Sequence, residues 1–205
     1  MITQVLARAS VTARDLTTIA CGVGPGPYTG LRVGLATAVA MGAALDIPVV
    51  GMCSLDIIAE QWRSRAGEHL LVATDARRRE VYVGAYADGR RTLGPLVLRP
   101  GDAVTAAPQI RIAVGAGAVL YREVLAECGV SVPEGAAESA YPDAGVLAGL
   151  VAAAGEAAIA AAATSTTAVT LDDARGSGAE STVPLGLLPP RALYLRRPDA
   201  MEPGR

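Results

Sequence analysis

Apolar residues at helical spacing open the chain, and Ile2, Val5, Leu6 and Ala9 predict one amphipathic helix over residues 1–9. The run Leu16–Val23 predicts a buried strand that feeds the turn Gly24-Pro-Gly-Pro-Tyr-Thr-Gly30. A helix is expected over Leu31–Leu45 with Thr29 as its N-cap, then a short strand over Pro48–Gly51. Ser54 is expected to cap a helix reaching Ser64, with Leu55, Ile58 and Trp62 on one face. The period then changes: Leu70–Thr74, Glu80–Tyr86 and Thr92–Leu98 predict three successive strands, the last two joined by a hairpin turn at Asp88-Gly89. After a polar loop come a strand over Arg111–Gly115 and a helix over Ala118–Cys128 that Gly129 ends. Asp143–Ala163 predicts one long Ala-rich helix. The expected division is a first lobe over 1–67, a second lobe over 68–163, a flexible insert over 164–184 and a Pro-punctuated C-terminal tail over 185–205.

Composition narrows the chemistry. With 51% hydrophobic residues, the 205-residue chain can bury a core. Its 18 basic residues are all arginine, so no lysine is available to clamp a phosphate or form a Schiff base. A formal charge of −2 argues against tight nucleic-acid binding by this chain alone. Cys21, Cys53 and Cys128 are widely spaced and odd in number, which fits a reduced, cytoplasmic setting. The apolar run Gly145–Ala163 is rich in Ala and Gly and carries Glu156, so it reads as a helix of a soluble protein and not as a bilayer span.

Each motif has a bland reading and a functional one. Gly24, Gly26, Thr29 and Gly30 form a tight strand-to-helix turn that could also receive an anion or nucleotide at the following helix N-terminus. It matches neither GxGxxG nor the Walker pattern. On the next helix, Gly34, Ala38 and Gly42 make a small-residue stripe beside Leu31, Leu35 and Val39, and no charge falls between Arg32 and Asp46. Such a helix must be covered on several sides, either by its own domain or by a partner. Asp75 with Arg77-Arg-Arg-Glu80 could hold a phosphate or a partner carboxylate, or could be a charged loop. Asp172 and Asp173 read as solvated. His69, the single histidine, reads as a surface residue; one histidine excludes a site with two His ligands, and no serine lies in a GxSxG context. No catalytic residue and no metal site is assigned.

Four collinear blocks resemble the TsaB (YeaZ) family: Cys21–Gly34 with its Gly-Pro-Gly-Pro-Tyr-Thr-Gly core, Pro48–Leu55, Asp75–Tyr82 and Tyr194–Ala200. The resemblance implies an α/β fold of the actin-like ATPase (ASKHA) class, two lobes of βββαβα topology, with the first lobe lacking its opening strands. It further implies that the chain starts inside the first helix, through a start codon assigned too far downstream or a shortened chain. The implied role is a non-catalytic scaffold subunit for threonylcarbamoylation of the tRNA adenosine beside the anticodon. It would pair with a TsaD-like catalytic subunit or a second copy of itself and engage a TsaE-like ATPase, contacting tRNA only indirectly and no membrane. Carried onto this sequence, the partner surface comprises Ile2, Val5, Leu6, Leu31, Gly34, Leu35, Ala38 and Gly42. No cofactor is expected to bind tightly, and ATP or ADP remains an option at the junction of the subunits. The alternatives are a glycoprotease-like hydrolase and a nucleotide-binding regulator.

Overall fold

A computed structural model describes residues 2–64, 69–165, 183–184 and 186–195. Two β-sheets organise it. The smaller pairs β1 (Ile19–Gly24) with β2 (Val49–Cys53) in parallel, Ile19 opposite Val49. The larger has the order β6-β3-β4-β5-β7, built from β3 (His69–Asp75), β4 (Val81–Ala87), β5 (Arg90–Leu98), β6 (Ile112–Val114) and β7 (Val183–Pro184). In it β3 runs parallel to β6, and the remaining pairs are antiparallel. Asp88 and Gly89 join β4 to β5 with φ of +50° and +72°, as a two-residue hairpin turn demands. The Asp172–Asp173 pair and most of the expected 164–184 insert lie outside the described residues.

Helices cover these sheets. Helix α1 (Ile2–Arg8) has no buried residue, and α2 (Tyr28–Leu45) lies on β1 and β2. Helix α3 (Ser54–Trp62) buries Leu55, Asp56, Ile57, Ile58, Ala59 and Trp62, so it is covered all round, not on the single face that the apolar spacing suggested. The reason is its position. Leu55, Ile58 and Trp62 join the main core with β3 and β4, while Ile57 turns the other way into a second cluster with Val50, Met52, Leu147 and Val151. Each such side chain contributes roughly 1.5–3 kcal/mol by leaving water.

Several boundaries differ from the sequence expectation, each for a local reason. Pro27 is the N-cap of α2 and Thr29 lies within its first turn; Cys53 is the N-cap of α3 and Ser54 its first residue. The loop after β5 contains α4 (Pro100–Ala106), which Pro100 starts with the φ it carries intrinsically. The expected helix over Ala118–Cys128 is two short ones, α5 (Ala116–Leu120) and α6 (Arg122–Glu127), broken at Tyr121 and closed at Gly129, whose φ is +77°. The Ala-rich helix is likewise α7 (Ala144–Ala154) and α8 (Glu156–Thr164), bent by 105° at Gly155. Gly155 has φ +80°, which a continuous helix excludes. Asp143 caps α7, its Oδ1 accepting from the Val146 N–H at 2.9 Å.

Residues 183–184 and 186–195 reach both sheets. Val183 and Pro184 extend the larger sheet along β5, Leu188 exchanges backbone hydrogen bonds of 2.7 and 2.8 Å with Gly51 of β2, and the Leu193 N–H donates to Val23 O at 2.8 Å. Leu193 is itself a core residue.

Candidate functional site

Helix α2 divides its apolar surface between two environments. Leu35, Ala38 and Gly42 are buried against this chain's own strands, and Leu31 is half-buried. Gly42 is packed so closely under Val49 and the Ile47 carbonyl that a side chain there would collide with them. These residues of the expected contact stripe are core, because the small side chains serve close helix-to-strand packing within this chain. Gly34 is exposed, as are Val33, Ala36, Thr37, Ala40 and Ala44 on the opposite side, with Val33 62% exposed. Thr37 Oγ1 donates to the Val33 carbonyl at 2.8 Å, so even the hydroxyl on this face is satisfied locally. By length and composition α2 could cross a membrane, and its inner side packs on β1 and β2. Ile2 and Val5 of α1 are exposed and Leu6 half-buried. At the N-terminal end of α2, the Tyr28 ring lies 5.3 Å from that of Tyr194, with the Arg32 guanidinium 5.2 Å from the Tyr28 centroid and its Nη1 donating to Tyr28 Oη at 2.8 Å.

Beside α2 a cleft of about 380 Å³ opens between the two sheets. It collects the carboxyl ends of strands: Cys21 and Gly22 of β1, Ser54 after β2, Thr74 and Asp75 of β3, and Ala116 after β6. Pro25, Gly26, Pro27, Gly30, Leu31 and Gly34 form one wall, Tyr141 and Pro142 another. Two motifs far apart in sequence thus meet, the glycine-rich turn and the Asp75–Arg77 block. Of the turn residues, Gly24 is buried with φ +98° and shapes the reversal, Gly26 and Gly30 line the cleft, and Thr29 is exposed. Arg77, Arg78 and Arg79 all adopt left-handed φ of +62°, +54° and +61°, a conformation costing L-residues roughly 1–2 kcal/mol each. Asp75 supports this turn: its Oδ1 accepts from the Arg77 N–H at 2.8 Å and its Oδ2 lies 3.2 Å from Arg77 Nη1. Thr74 Oγ1 is buried without a hydrogen-bond partner.

A buried polar network links the two sheets. Tyr86 of β4 donates through its hydroxyl to Asp56 Oδ1 of α3 at 2.7 Å, and Arg91 Nε of β5 lies 3.6 Å from the same oxygen. Arg91 Nη1 also approaches Cys53 Sγ at 3.9 Å. Burial pushes the Asp56 carboxyl up, with Arg91 and the Tyr86 hydrogen bond opposing, while the Asp56 charge helps keep Arg91 protonated. Burial raises the Cys53 thiol to about 12 and the Cys21 thiol to about 11, which leaves both poor nucleophiles. Among the described residues no three His, Cys, Asp or Glu side chains are placed to share a metal ion, and His69 is exposed at the start of β3.

Two sheets with helices packed on them and a cleft at the strand ends make this an α/β protein, and its family and structural neighbours fit an actin-like fold. The family profile described as "TsaD: tRNA N6-adenosine threonylcarbamoyltransferase" matches residues 1–203, and the chain belongs to that family, within its TsaB (YeaZ) group. An uncharacterized protein of Mycobacterium tuberculosis is 52% identical over 108 residues, 53% of this chain and 49% of that protein. The tRNA threonylcarbamoyladenosine biosynthesis protein TsaB of Escherichia coli is 32% identical over 87 residues, 42% of this chain and 38% of that one. The chain spans about half the length of the curated relatives it matches, or less. Among solved structures, YeaZ from Pseudomonas aeruginosa superposes with a TM-score of 0.60 at 29% identity, over 75% of this chain and 74% of that one. A second structure, described as an uncharacterized protein with similarity to peptidase YEAZ from Pseudomonas aeruginosa, gives 0.61 at 27% identity over 96% and 81%.

The sequence reading missed the outer face of α2, the Tyr28–Tyr194 contact, and the cleft positions Ser54, Thr74 and Tyr141. A helix apolar nearly all round carries no signal for which side is inward. A cleft wall built from segments about 50 and 115 residues apart has no sequence signal at all.

Proposed function

We propose that this chain acts in tRNA threonylcarbamoyladenosine biosynthesis as a non-catalytic scaffold subunit in the cytoplasm. It docks a TsaD-type catalytic subunit through the outer face of α2, with the exposed Ile2 and Val5 of α1 contributing, and the assembled pair engages a TsaE-type ATPase. One observation carries the reading: an 18-residue helix without a charge from Val33 to Leu45 leaves Val33, Ala36, Ala40 and Ala44 in water. Covering such a face is favourable at roughly 25 cal/mol per Å² of apolar surface, and its small residues let a second helix approach closely. Membership of the family, with relatives named for this biosynthesis, supplies the chemistry of the partner.

The test is co-purification of tagged chain with the TsaD-type protein of the same organism, comparing the wild type with a Val33→Asp, Ala40→Asp variant. Both positions are exposed, so the variant should keep the thermal midpoint of the wild type while losing the partner. Capture that survives both aspartates would sink the assignment of this face. A wild type that captures only a second copy of itself would replace the heterodimer by a homodimer on the same helix.

A further inference from the structure

We propose that the groove between the last turns of α2 and helix α8 docks a basic, apolar segment of a partner protein, with an arginine or lysine of that segment seated over the carboxylates of Asp46 and Glu156. This goes beyond the docking role given to the outer face of α2, since neither Val33 nor Ala40 lines the groove.

The shape of the groove selects a stretch of chain. It holds about 840 Å³, toward the upper end of the range for ligand sites, and lies open along the surface. Its walls are apolar: Val39 of α2, the run Ile47, Pro48 and Val49 into β2, and Ile159 and Ala163 of α8. Val39 is 46% exposed, so this flank of α2 gains from being covered. A long, shallow apolar channel suits a peptide segment that lays alternate side chains into it.

The charge of the groove selects the sign of the occupant. Asp46 and Glu156 are the ionisable side chains that line it, both are exposed, and no arginine lines it. Among the described residues neither carboxylate has an ion-pair partner.

The end of α2 adds to the same field. A helix C-terminus carries partial negative charge, which proteins commonly offset with a basic residue in the last turn. This helix has no basic residue there and ends instead on Asp46, in the left-handed conformation at φ +53°. Gly42 accepts from both the Asp46 and the Ile47 N–H, and Pro48 has no N–H to donate. The carbonyls of Ala43, Ala44 and Leu45 are therefore left to solvent or to a partner. An acidic residue at a negative helix end is unfavourable for the chain alone, and a cationic occupant removes the conflict. The apolar walls favour a side chain over a free cation, because an arginine or lysine stem and its apolar neighbours cover Val39 and Ile159 while the charged head meets the carboxylates.

Fluorescence anisotropy of the full chain tests this with a labelled peptide of about eight residues alternating leucine and arginine, set against the same peptide carrying glutamate and against arginine amide. The arginine peptide should bind with Kd below about 0.1 mM and weaken about tenfold between about 50 mM and about 500 mM salt. The glutamate peptide and arginine amide should each bind at least about tenfold more weakly. Asp46→Asn removes one carboxylate and keeps a residue that accepts the left-handed conformation, so the thermal midpoint should hold or rise while peptide affinity falls about fivefold. Ala160 is exposed and lines the groove one helical turn after Glu156, so Ala160→Arg supplies the cation from the chain itself. That variant should keep its circular dichroism and lose the peptide. The Val33→Asp, Ala40→Asp variant should bind the peptide as the wild type does, which separates this site from the outer face of α2. Four outcomes would overturn the proposal: no binding of the arginine peptide at about 1 mM, equal binding of the glutamate peptide or of arginine amide, an affinity that both groove substitutions leave unchanged, or binding lost with Val33→Asp, Ala40→Asp.

Discussion

Replacing Arg91 by methionine should expose how strongly the two sheets are pinned together. Asp56 is only 2% exposed and the Arg91 side chain 12%. At their separation of 3.6 Å and an effective dielectric constant near 20, the attraction between the two charges is about 4–5 kcal/mol. Removing one partner leaves the carboxylate buried with only neutral donors, the Tyr86 hydroxyl and the Cys53 thiol, and breaking such pairs costs roughly 3–5 kcal/mol. Arg91→Met should therefore lower the unfolding free energy at pH 7 by about 3 kcal/mol, the carboxyl recovering part of the loss by taking up a proton. Trp62, the single tryptophan and a core residue, provides a fluorescence signal for urea unfolding alongside circular dichroism. The pH dependence has a definite sign. A carboxyl raised above its ordinary 3.8 binds a proton more readily folded than unfolded, so its contribution to stability declines as pH climbs from 3.8 through the raised value and is level above it. Without Arg91 to oppose burial the rise is larger, so the defect of the variant should shrink as pH falls from 7 toward 3.8. A triple replacement, Asp56→Leu with Tyr86→Phe and Arg91→Met, should regain at least about half of the loss. A defect under about 1 kcal/mol, or one that does not diminish on acidification, would refute the reasoning.

Two further expectations concern the C-terminal segment and the thiols. Gly51 lies against Val23 and the carbonyls of Leu188 and Pro189, so Gly51→Ala should loosen residues 186–193 and cost about 1–3 kcal/mol, with amide exchange accelerating first at Leu188 and Leu193. Cys128 is exposed, Cys21 half-buried and Cys53 buried, and burial raises the last two to about 11 and 12, so a disulfide reagent at pH 8 should modify Cys128 rapidly, Cys21 slowly and Cys53 only on unfolding. Fast modification of Cys53 in the native protein would contradict its burial.

Much of the fold was written locally. The alternating segments that became β3, β4 and β5, the Asp88-Gly89 turn between the last two, and the glycine-rich reversal before α2 depend on side-chain period and on backbone conformations open to few residues. The four sequence blocks likewise sufficed to place the chain in its family, because a strand-turn-helix of that composition is specific. Helix breaks at Tyr121 and Gly155 were less legible, since alanine-rich stretches favour a helix through either point and only the packing of each half decides the bend.

Position in space was decided by the tertiary structure alone. Sequence showed that α2 is apolar nearly all round, but the strands beneath it determined that Leu35, Ala38 and Gly42 turn inward and that Val33 and Ala40 stay exposed. The same holds for Asp56, whose carboxylate on a helix of apolar residues meets Tyr86 and Arg91 only after two sheets close on α3. Periodicity records how many faces of an element are apolar; which neighbour covers each face depends on contacts between segments distant in the chain, and these leave no local trace.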